Sequence, residues 1–116
     1  MKIVTLILFI FFISCCDVIT DTYDTHQDAK DNQLFERGWL PDILPTSTTN
    51  IKTQNNFDLN TSKGNFKIPK KDLGKFISKL DHILDNNYSY TEKSRYDIWL
   101  FEVNSNGYVN YTLSIK

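Results

Sequence analysis

The sequence predicts an α+β fold in which a small antiparallel sheet, formed from two hairpins, carries one amphipathic helix on one face. Two pairs of alternating apolar and polar segments each surround a run of turn residues, which is typical of a hairpin. Between the two pairs, five apolar residues recur at helical spacing: Leu73, Phe76, Ile77, Leu80 and Leu84. This spacing places them on one face of a helix, and that face would cover the sheet.

Residues 1–14 predict an export signal. Lys2 precedes an apolar run from Ile3 to Ile13 that contains one polar residue, Thr5, and the small residue Ser14 follows it. The run with its flanking residues is about 14 residues long, and a helix of that length would rise roughly 21 Å, which is less than the roughly 30 Å hydrocarbon core of a bilayer. We therefore expect a signal peptide that is removed, with a plain secretory signal without lipid and an uncleaved anchor as alternatives.

The chain contains two cysteines, Cys15 and Cys16. The sequence Phe-Ile-Ser before Cys15 resembles the lipobox of bacterial lipoproteins, and this resemblance implies cleavage before Cys15 and lipid attachment to it. Cys16 is the second candidate acceptor. A lipid on either cysteine would hold the protein in the cell membrane or the outer membrane, with its domain facing the periplasm. Because no cysteine follows Cys16, we expect neither a disulfide framework nor a thiolate metal site.

The remaining chain predicts a tether and one domain. Residues 15–32 contain five aspartates and one lysine with little apolar content, which indicates a lipidated N-terminus followed by a flexible acidic tether. Residues 33–116 are long enough for a single α+β domain. In that domain 11 Lys and Arg face 9 Asp and Glu. This near balance, without a basic stripe, argues against a nucleic acid partner.

Residues 37–45, with the sequence RGWLPDILP, are the most distinctive stretch. Pro41 and Pro45 exclude a regular helix or a central strand through this stretch. Four large apolar side chains within it nevertheless favour burial: Trp39, Leu40, Ile43 and Leu44. We therefore expect a rigid, irregular apolar segment packed against the sheet, and we call it the plug.

The first hairpin and the helix follow the plug. Residues 51–59 alternate as a strand, residues 60–65 provide turn chemistry with Gly64 free to adopt positive φ, and residues 66–68 begin the returning strand. Pro69 suits the first turn of the helix, and we expect the helix to end at Asn86 and Asn87. Residues 88–95 are expected to form a loop.

The second hairpin ends the chain. Residues 96–103 are apolar on both faces, which predicts a central strand. Residues 104–107 contain an Asn-Gly turn signal, and the apolar residues from Val109 to Ile115 then alternate with polar ones. That last strand is expected to present one face to water.

The residues that could carry chemistry are few. His26 and His82 lie in different contexts, and the domain has neither a nucleophile motif nor a phosphate-binding glycine loop. We therefore expect no enzyme activity, no cofactor and no metal site. Arg37, Trp39 and Asp42 are the candidate contacts for a partner, because Trp and Arg are enriched at binding hot spots. In the structural alternative, Trp39 is core and Arg37 pairs with Asp42 or caps carbonyl groups within the fold.

The plug also carries a family resemblance. Together with Phe57–Asn60 and Gly64–Phe66, it resembles a group of small bacterial lipoproteins with an RGWLPDxLP-type motif soon after the lipid anchor. The resemblance covers roughly residues 34–68. It implies a location in the envelope and brings no established activity with it.

These observations favour a lipid-anchored bacterial envelope lipoprotein that acts as a non-catalytic binding or structural module. Its partners would be the membrane, through the N-terminal lipid, and an envelope protein. Two alternatives stay open. One is a periplasmic inhibitor or immunity-type lipoprotein, and the other is a small hydrolase or ligand binder with an unrecognised site.

Overall fold

The computed structural model describes residues 18–92 and 97–115, with the side chain of Ile115 left out, and its main element is one antiparallel sheet. The seven strands are β1 Val18–Thr25, β2 Thr49–Asn56, β3 Thr61–Lys67, β4 Asp81–Leu84, β5 Asn87–Glu92, β6 Asp97–Val103 and β7 Tyr108–Ile115. Their order across the sheet is β1-β2-β3-β7-β6-β5-β4. Two short helices, α1 His26–Asp31 and α2 Lys70–Ile77, complete the regular structure of the described residues.

The α+β class predicted from the sequence is therefore wrong, and the fold is mainly β. Two hairpins and a long helix were expected, whereas the sheet gains β1 at one edge and β4 and β5 at the other. The predicted signal peptide and both cysteines lie outside the described residues.

Strand β1 occupies the segment predicted as a flexible tether. It pairs antiparallel with β2 along its length, from Val18 opposite Asn56 to Thr25 opposite Thr49. Tyr23 is its one buried side chain. Main-chain hydrogen bonds to a neighbouring strand do not depend on apolar side chains, so an acidic segment can be held in the sheet. Residues 18–31 of the predicted tether therefore lie in β1 and α1.

Helix α2 is shorter than predicted. It begins after Pro69, as expected, but ends at Ile77, and β4 and β5 then form a hairpin. This hairpin includes residues 88–92 of the segment predicted as a loop, and residues 93–95 of that segment lie outside the described residues. Strand β5 pairs with β6, from Asn87 opposite Glu102 to Glu92 opposite Asp97. A central strand needs main-chain partners on both sides, and β5 supplies the second set for β6.

The two predicted hairpins are confirmed, with shifted boundaries in the first. Strands β2 and β3 pair antiparallel, and so do β6 and β7. The first turn lies at residues 57–60, so Gly64 is inside β3 rather than in the turn. Strand β6 is internal, as predicted. Strand β7 alternates buried Val109, Tyr111 and Leu113 with exposed polar residues, also as predicted.

One face of the sheet, the covered face, carries the core. From α2, the Phe76 ring contacts Phe66 of β3 and Phe101 of β6, with ring centroids 6.0 and 5.5 Å apart. Helix α1 packs beside β1 and β2, and the plug contributes Leu40 and Leu44 to the same core. The other face, the open face, presents mostly polar side chains to solvent, together with the exposed Leu100 and Tyr108.

Candidate functional site

The plug is irregular and largely buried, as the sequence predicts, and Trp39 is its structural centre. Its carbonyl oxygen accepts a hydrogen bond of 3.1 Å from Nε1 of Trp99 on β6. Its ring meets Phe57 edge-on, with centroids 5.2 Å apart. With the side chain buried and both contacts internal, Trp39 serves the core and offers little surface to a partner.

Arg37, in contrast, is exposed and borders an acidic cleft. The cleft has a volume of about 630 Å³, and seven residues line it: Asp21, Thr22, Tyr23, Asp24, Asp28, Asn32 and Arg37. Nε of Arg37 donates to the carbonyl oxygen of Gln33 at 3.4 Å. Three carboxylates and one guanidinium therefore share one surface of the described protein.

Two elements position the carboxylates of this acidic cleft. Strand β1 carries Asp21 and Asp24, and α1 carries Asp28. Thr25 joins the two elements as the N-cap of α1, because its Oγ1 accepts a hydrogen bond of 3.1 Å from the backbone N–H of Asp28. The cap fixes the direction in which the chain leaves β1, so the carboxylates keep a defined arrangement.

The sequence did not assign these aspartates to a site, because they lie in the segment predicted as a tether. A signal for the strand was nevertheless present. Thr20, Thr22 and Thr25 are β-branched, and β-branched residues favour strands even where apolar residues are sparse. These threonines would have indicated β1. The grouping of Asp21 and Asp24 with Asp28 and Arg37 also depends on how α1 follows the strand.

Asp42 lies apart from Arg37. It borders a different cavity of about 310 Å³, which includes Pro41, Glu92 and Trp99 among its lining residues. The three residues predicted as a joint partner contact therefore separate into a buried Trp39 and two exposed charged groups beside different cavities. The structure does not bring them together as one contact.

A buried histidine lies near Asp42. The ring of His26 stacks on Phe35 with centroids 4.9 Å apart, and its buried Nε2 has no hydrogen-bond partner within the part of the chain that the structure describes. Burial lowers the pKa of His26, with a smaller opposing contribution from the Asp42 carboxylate and a lowering one from Lys30. Burial therefore favours the neutral form of the ring in the folded protein.

This burial predicts a stability that decreases in mild acid. In the unfolded chain the His26 imidazole has a pKa of about 6.5, and in the folded protein its pKa is lower. The contribution of neutral His26 to the free energy of unfolding is complete above about pH 6.5. It is lost as the pH falls from there towards the pKa of the folded protein, because the unfolded state binds the proton first. The urea midpoint should therefore decrease between about pH 7.5 and about pH 5.5.

Two variants identify the histidine responsible. His26→Phe keeps an aromatic ring against Phe35 and should remove most of this decrease. His82→Gln changes the other histidine, which is exposed, and should leave the decrease intact. An unchanged pH dependence in His26→Phe would contradict the assignment.

A second polar group is buried on the covered face. Oγ of Ser62 donates to Oδ1 of Asn55 at 2.6 Å and lies 3.0 Å from the hydroxyl of Tyr111. Burial raises the pKa of Tyr111 well above its ordinary range, although the hydrogen bond with Ser62 opposes the shift. The Tyr111 hydroxyl therefore stays protonated and serves as a structural partner across β3 and β7.

The open face is polar, and Lys52 and Lys63 are exposed on it. They border a shallow cavity of about 320 Å³ with Asn65 and Asn110. At one end of this face, Nζ of Lys67 lies 5.1 Å from the centre of the Tyr108 ring. The open face therefore offers hydrogen-bond donors and positive charge.

Ser78 and His82, four residues apart in the chain, each bond to a backbone carbonyl group. Oγ of Ser78 donates to the carbonyl oxygen of Lys75 at 2.6 Å, and Nε2 of His82 lies 2.7 Å from the carbonyl oxygen of Asp85. Within residues 18–92 and 97–115, no group of three or more His, Cys, Asp and Glu side chains could hold a metal ion. In the same part of the chain, no helix is long and apolar enough to cross a membrane.

Comparison with known proteins gives one finding. Residues 17–67 match a family described as the YbbD head domain, and this match covers less than half of the 116 residues. It indicates a bacterial envelope-related protein. The matched stretch runs from the start of β1 to the end of β3 and includes the acidic cleft and the plug. No curated protein and no solved structure matches the chain significantly.

Proposed function

We propose that this protein is a bacterial envelope lipoprotein that carries its lipid on Cys15. Its domain acts without catalysis, as a binding or structural module, at the periplasmic side of the cell membrane or outer membrane. The charged start, the apolar run and the Ser14-Cys15 pair support the lipid attachment. The match to the YbbD head domain from residue 17 and the resemblance of the plug to small lipoproteins support the location in the envelope.

One observation carries the proposal. The sheet begins at Val18, three residues after Cys15. Three residues span at most about 11 Å even when fully extended. A lipid on Cys15 would therefore hold β1, an edge strand, close to the bilayer surface, so the domain would work at the membrane rather than at the end of a long tether.

A binding role fits the exposed chemistry better than a reactive one. The acidic cleft offers the carboxylates of Asp21, Asp24 and Asp28 beside the Arg37 guanidinium. Such a surface suits a partner with basic and hydrogen-bonding groups, as envelope proteins can present. Ser78 and His82, which lie four residues apart in the chain, each bond to a neighbouring carbonyl group.

The proposal predicts a defined mass for the protein extracted from membranes. Intact mass spectrometry should give a chain that begins at Cys15 and carries a diacylglycerol and an additional acyl group. Two or more acyl chains are needed for stable membrane attachment. The Cys15→Ser variant should keep the mass of the uncleaved, unmodified chain.

Cys16→Ser is the matched control, because it changes the neighbouring cysteine and leaves Cys15 and the Phe-Ile-Ser sequence before it intact. It should be processed and lipidated like the natural chain. Lipid on Cys16 in the Cys15→Ser variant would move the acceptor by one residue. An unmodified mass that starts after Cys16 would contradict the proposal and indicate a secreted protein.

A further inference from the structure

Four exposed apolar side chains lie at the corner of the sheet where β1 begins. Their exposed fractions are 51% for Val18, 46% for Ile19, 48% for Phe57 and 67% for Leu59. Val18 lies opposite Asn56, the residue that precedes Phe57 in the chain, so the β1 end and the β2–β3 turn are neighbours. We call these four residues the apolar corner. Val18 and Ile19 are successive residues of β1, so their side chains point to opposite faces and the apolar corner surrounds the end of this sheet edge. Single exposed apolar residues are normal, whereas a group of them at one end of the sheet favours an interaction surface.

The turn that carries Phe57 and Leu59 is structured. The backbone N–H groups of Asp58 and Leu59 both donate to Oδ1 of Asn56, each at 3.1 Å. The Phe57 ring lies against Trp39. The two side chains are therefore presented in fixed positions, and ordering them on contact with a partner costs little conformational entropy.

We propose that the apolar corner inserts into the lipid bilayer at the boundary between headgroups and acyl chains, as a second membrane contact beside the lipid on Cys15. This inference rests on the proposed function. Its physical basis is proximity, because Val18 belongs to the corner and lies at most about 11 Å of extended chain from Cys15. The lipid would bring this corner, before any other part of the sheet, to the bilayer.

A weak contact is sufficient once the protein is attached. Lipid attachment makes insertion of the corner an intramolecular event at a high effective concentration. Removing one large apolar side chain should reduce the population of the inserted state roughly tenfold. Two points of attachment also fix the orientation of the sheet, which a single flexible lipid linkage does not do.

A second exposed apolar pair provides an internal comparison. Ile83 and Leu84 have exposed fractions of 55% and 64% and lie on β4, at the opposite edge from β1. Six strand spacings of about 4.8 Å separate the two edges, or about 29 Å across a flat sheet. A protein that inserts through the apolar corner therefore keeps Ile83 away from the bilayer.

The test places a tryptophan at each edge of the full-length lipidated protein. Leu59→Trp and Ile83→Trp would be purified from membranes and reconstituted in phosphatidylcholine vesicles whose acyl chains carry bromine, which quenches tryptophan on close contact. The natural residues Trp39 and Trp99 are buried and supply the background in the unsubstituted protein. Intact mass spectrometry of the same samples reports lipid attachment separately.

We expect bromine to remove a large part of the added emission in Leu59→Trp and to leave Ile83→Trp unchanged. Introducing Phe57→Ser into Leu59→Trp should weaken the quenching, because it removes one inserting side chain. Equal quenching in both tryptophan variants, or none in either, for a protein that carries its lipid would overturn the inference and leave the proposed function intact. Selective quenching of Leu59→Trp in protein without lipid would support insertion and contradict lipid attachment. If residues 1–14 stay on the chain and shield the tryptophan of Leu59→Trp from bromine, the inference would be overturned.

Discussion

Replacing Phe66 with alanine should lower the free energy of unfolding by about 3–5 kcal/mol, the usual cost of deleting a buried aromatic ring. Phe66 is almost fully buried at the centre of the covered face. Its ring meets Phe76 of α2, Phe101 of β6 and Tyr111 of β7, with centroids 6.0, 6.3 and 6.2 Å apart. One substitution therefore weakens the contacts that hold a helix and three strands together.

Urea denaturation of Phe66→Ala beside the natural protein measures this effect. Leu100→Ala is the matched control, because Leu100 lies on β6 but is exposed rather than buried. It should change the free energy of unfolding by less than about 1 kcal/mol. Similar losses in both variants would show that the covered face does not carry the core.

Gly64→Ala should cost about 3 kcal/mol, although it adds a single methyl group. A Cβ at this position would overlap the backbone carbonyl oxygen of Lys52 on β2 and approach the ring of Tyr111. A carbonyl group held in a sheet cannot rotate away as a side chain can. The strands would have to separate, which breaks the pairing of β2 with β3.

Two further glycines serve as controls for the same substitution. Gly107→Ala should also be costly, because this residue has φ of 95° and a Cβ would overlap the carbonyl oxygen of Ile68. Gly74 lies in α2 with nothing within 4 Å of an added Cβ. Gly74→Ala should therefore stabilise the protein by about 0.5–1 kcal/mol. A stabilised Gly64→Ala variant would contradict the close approach of β2 and β3.

The hairpins were predictable because their signals are local. In β7, apolar and polar residues alternate, and Gly107 closes the turn before it with the positive φ that such a turn requires. In β6, apolar residues on both faces indicated an internal strand. These patterns depend on the period of the strand and on turn chemistry within a few residues, so the sequence contains them directly.

Strands β1 and β5 were missed for different reasons. Strand β1 has little apolar content and is held by main-chain hydrogen bonds to β2, which follows only after α1 and the plug, and local composition does not report such bonds. Strand β5 carries alternating tyrosines that were assigned to a loop, and it pairs with β4 and β6, its neighbours in the chain. The spacing of Leu80 and Leu84 suggested a longer helix. In the structure, however, Leu84 lies in β4, which pairs with β5.

At the candidate site too, local features were predictable from the sequence and the arrangement of distant residues was not. The sequence identified the plug and its burial, because prolines and large apolar side chains are local features. It could not separate Arg37 from Asp42, which lie five residues apart and border different cavities. The carboxylates beside Arg37 come from β1 and α1, so the acidic cleft exists only once β1 has joined the sheet.

The strand order has a consequence for the time course of folding. The sheet contains two consecutive runs, β1-β2-β3 and β4-β5-β6, and β7, which follows both in the chain, lies between them and pairs with both. Until β7 emerges, β3 and β6 each have one unpaired edge, and the Phe66–Phe101 contact across the gap cannot form. A nascent chain therefore stays open until β7 has been synthesised, and termination before β7 leaves two exposed strand edges that favour aggregation.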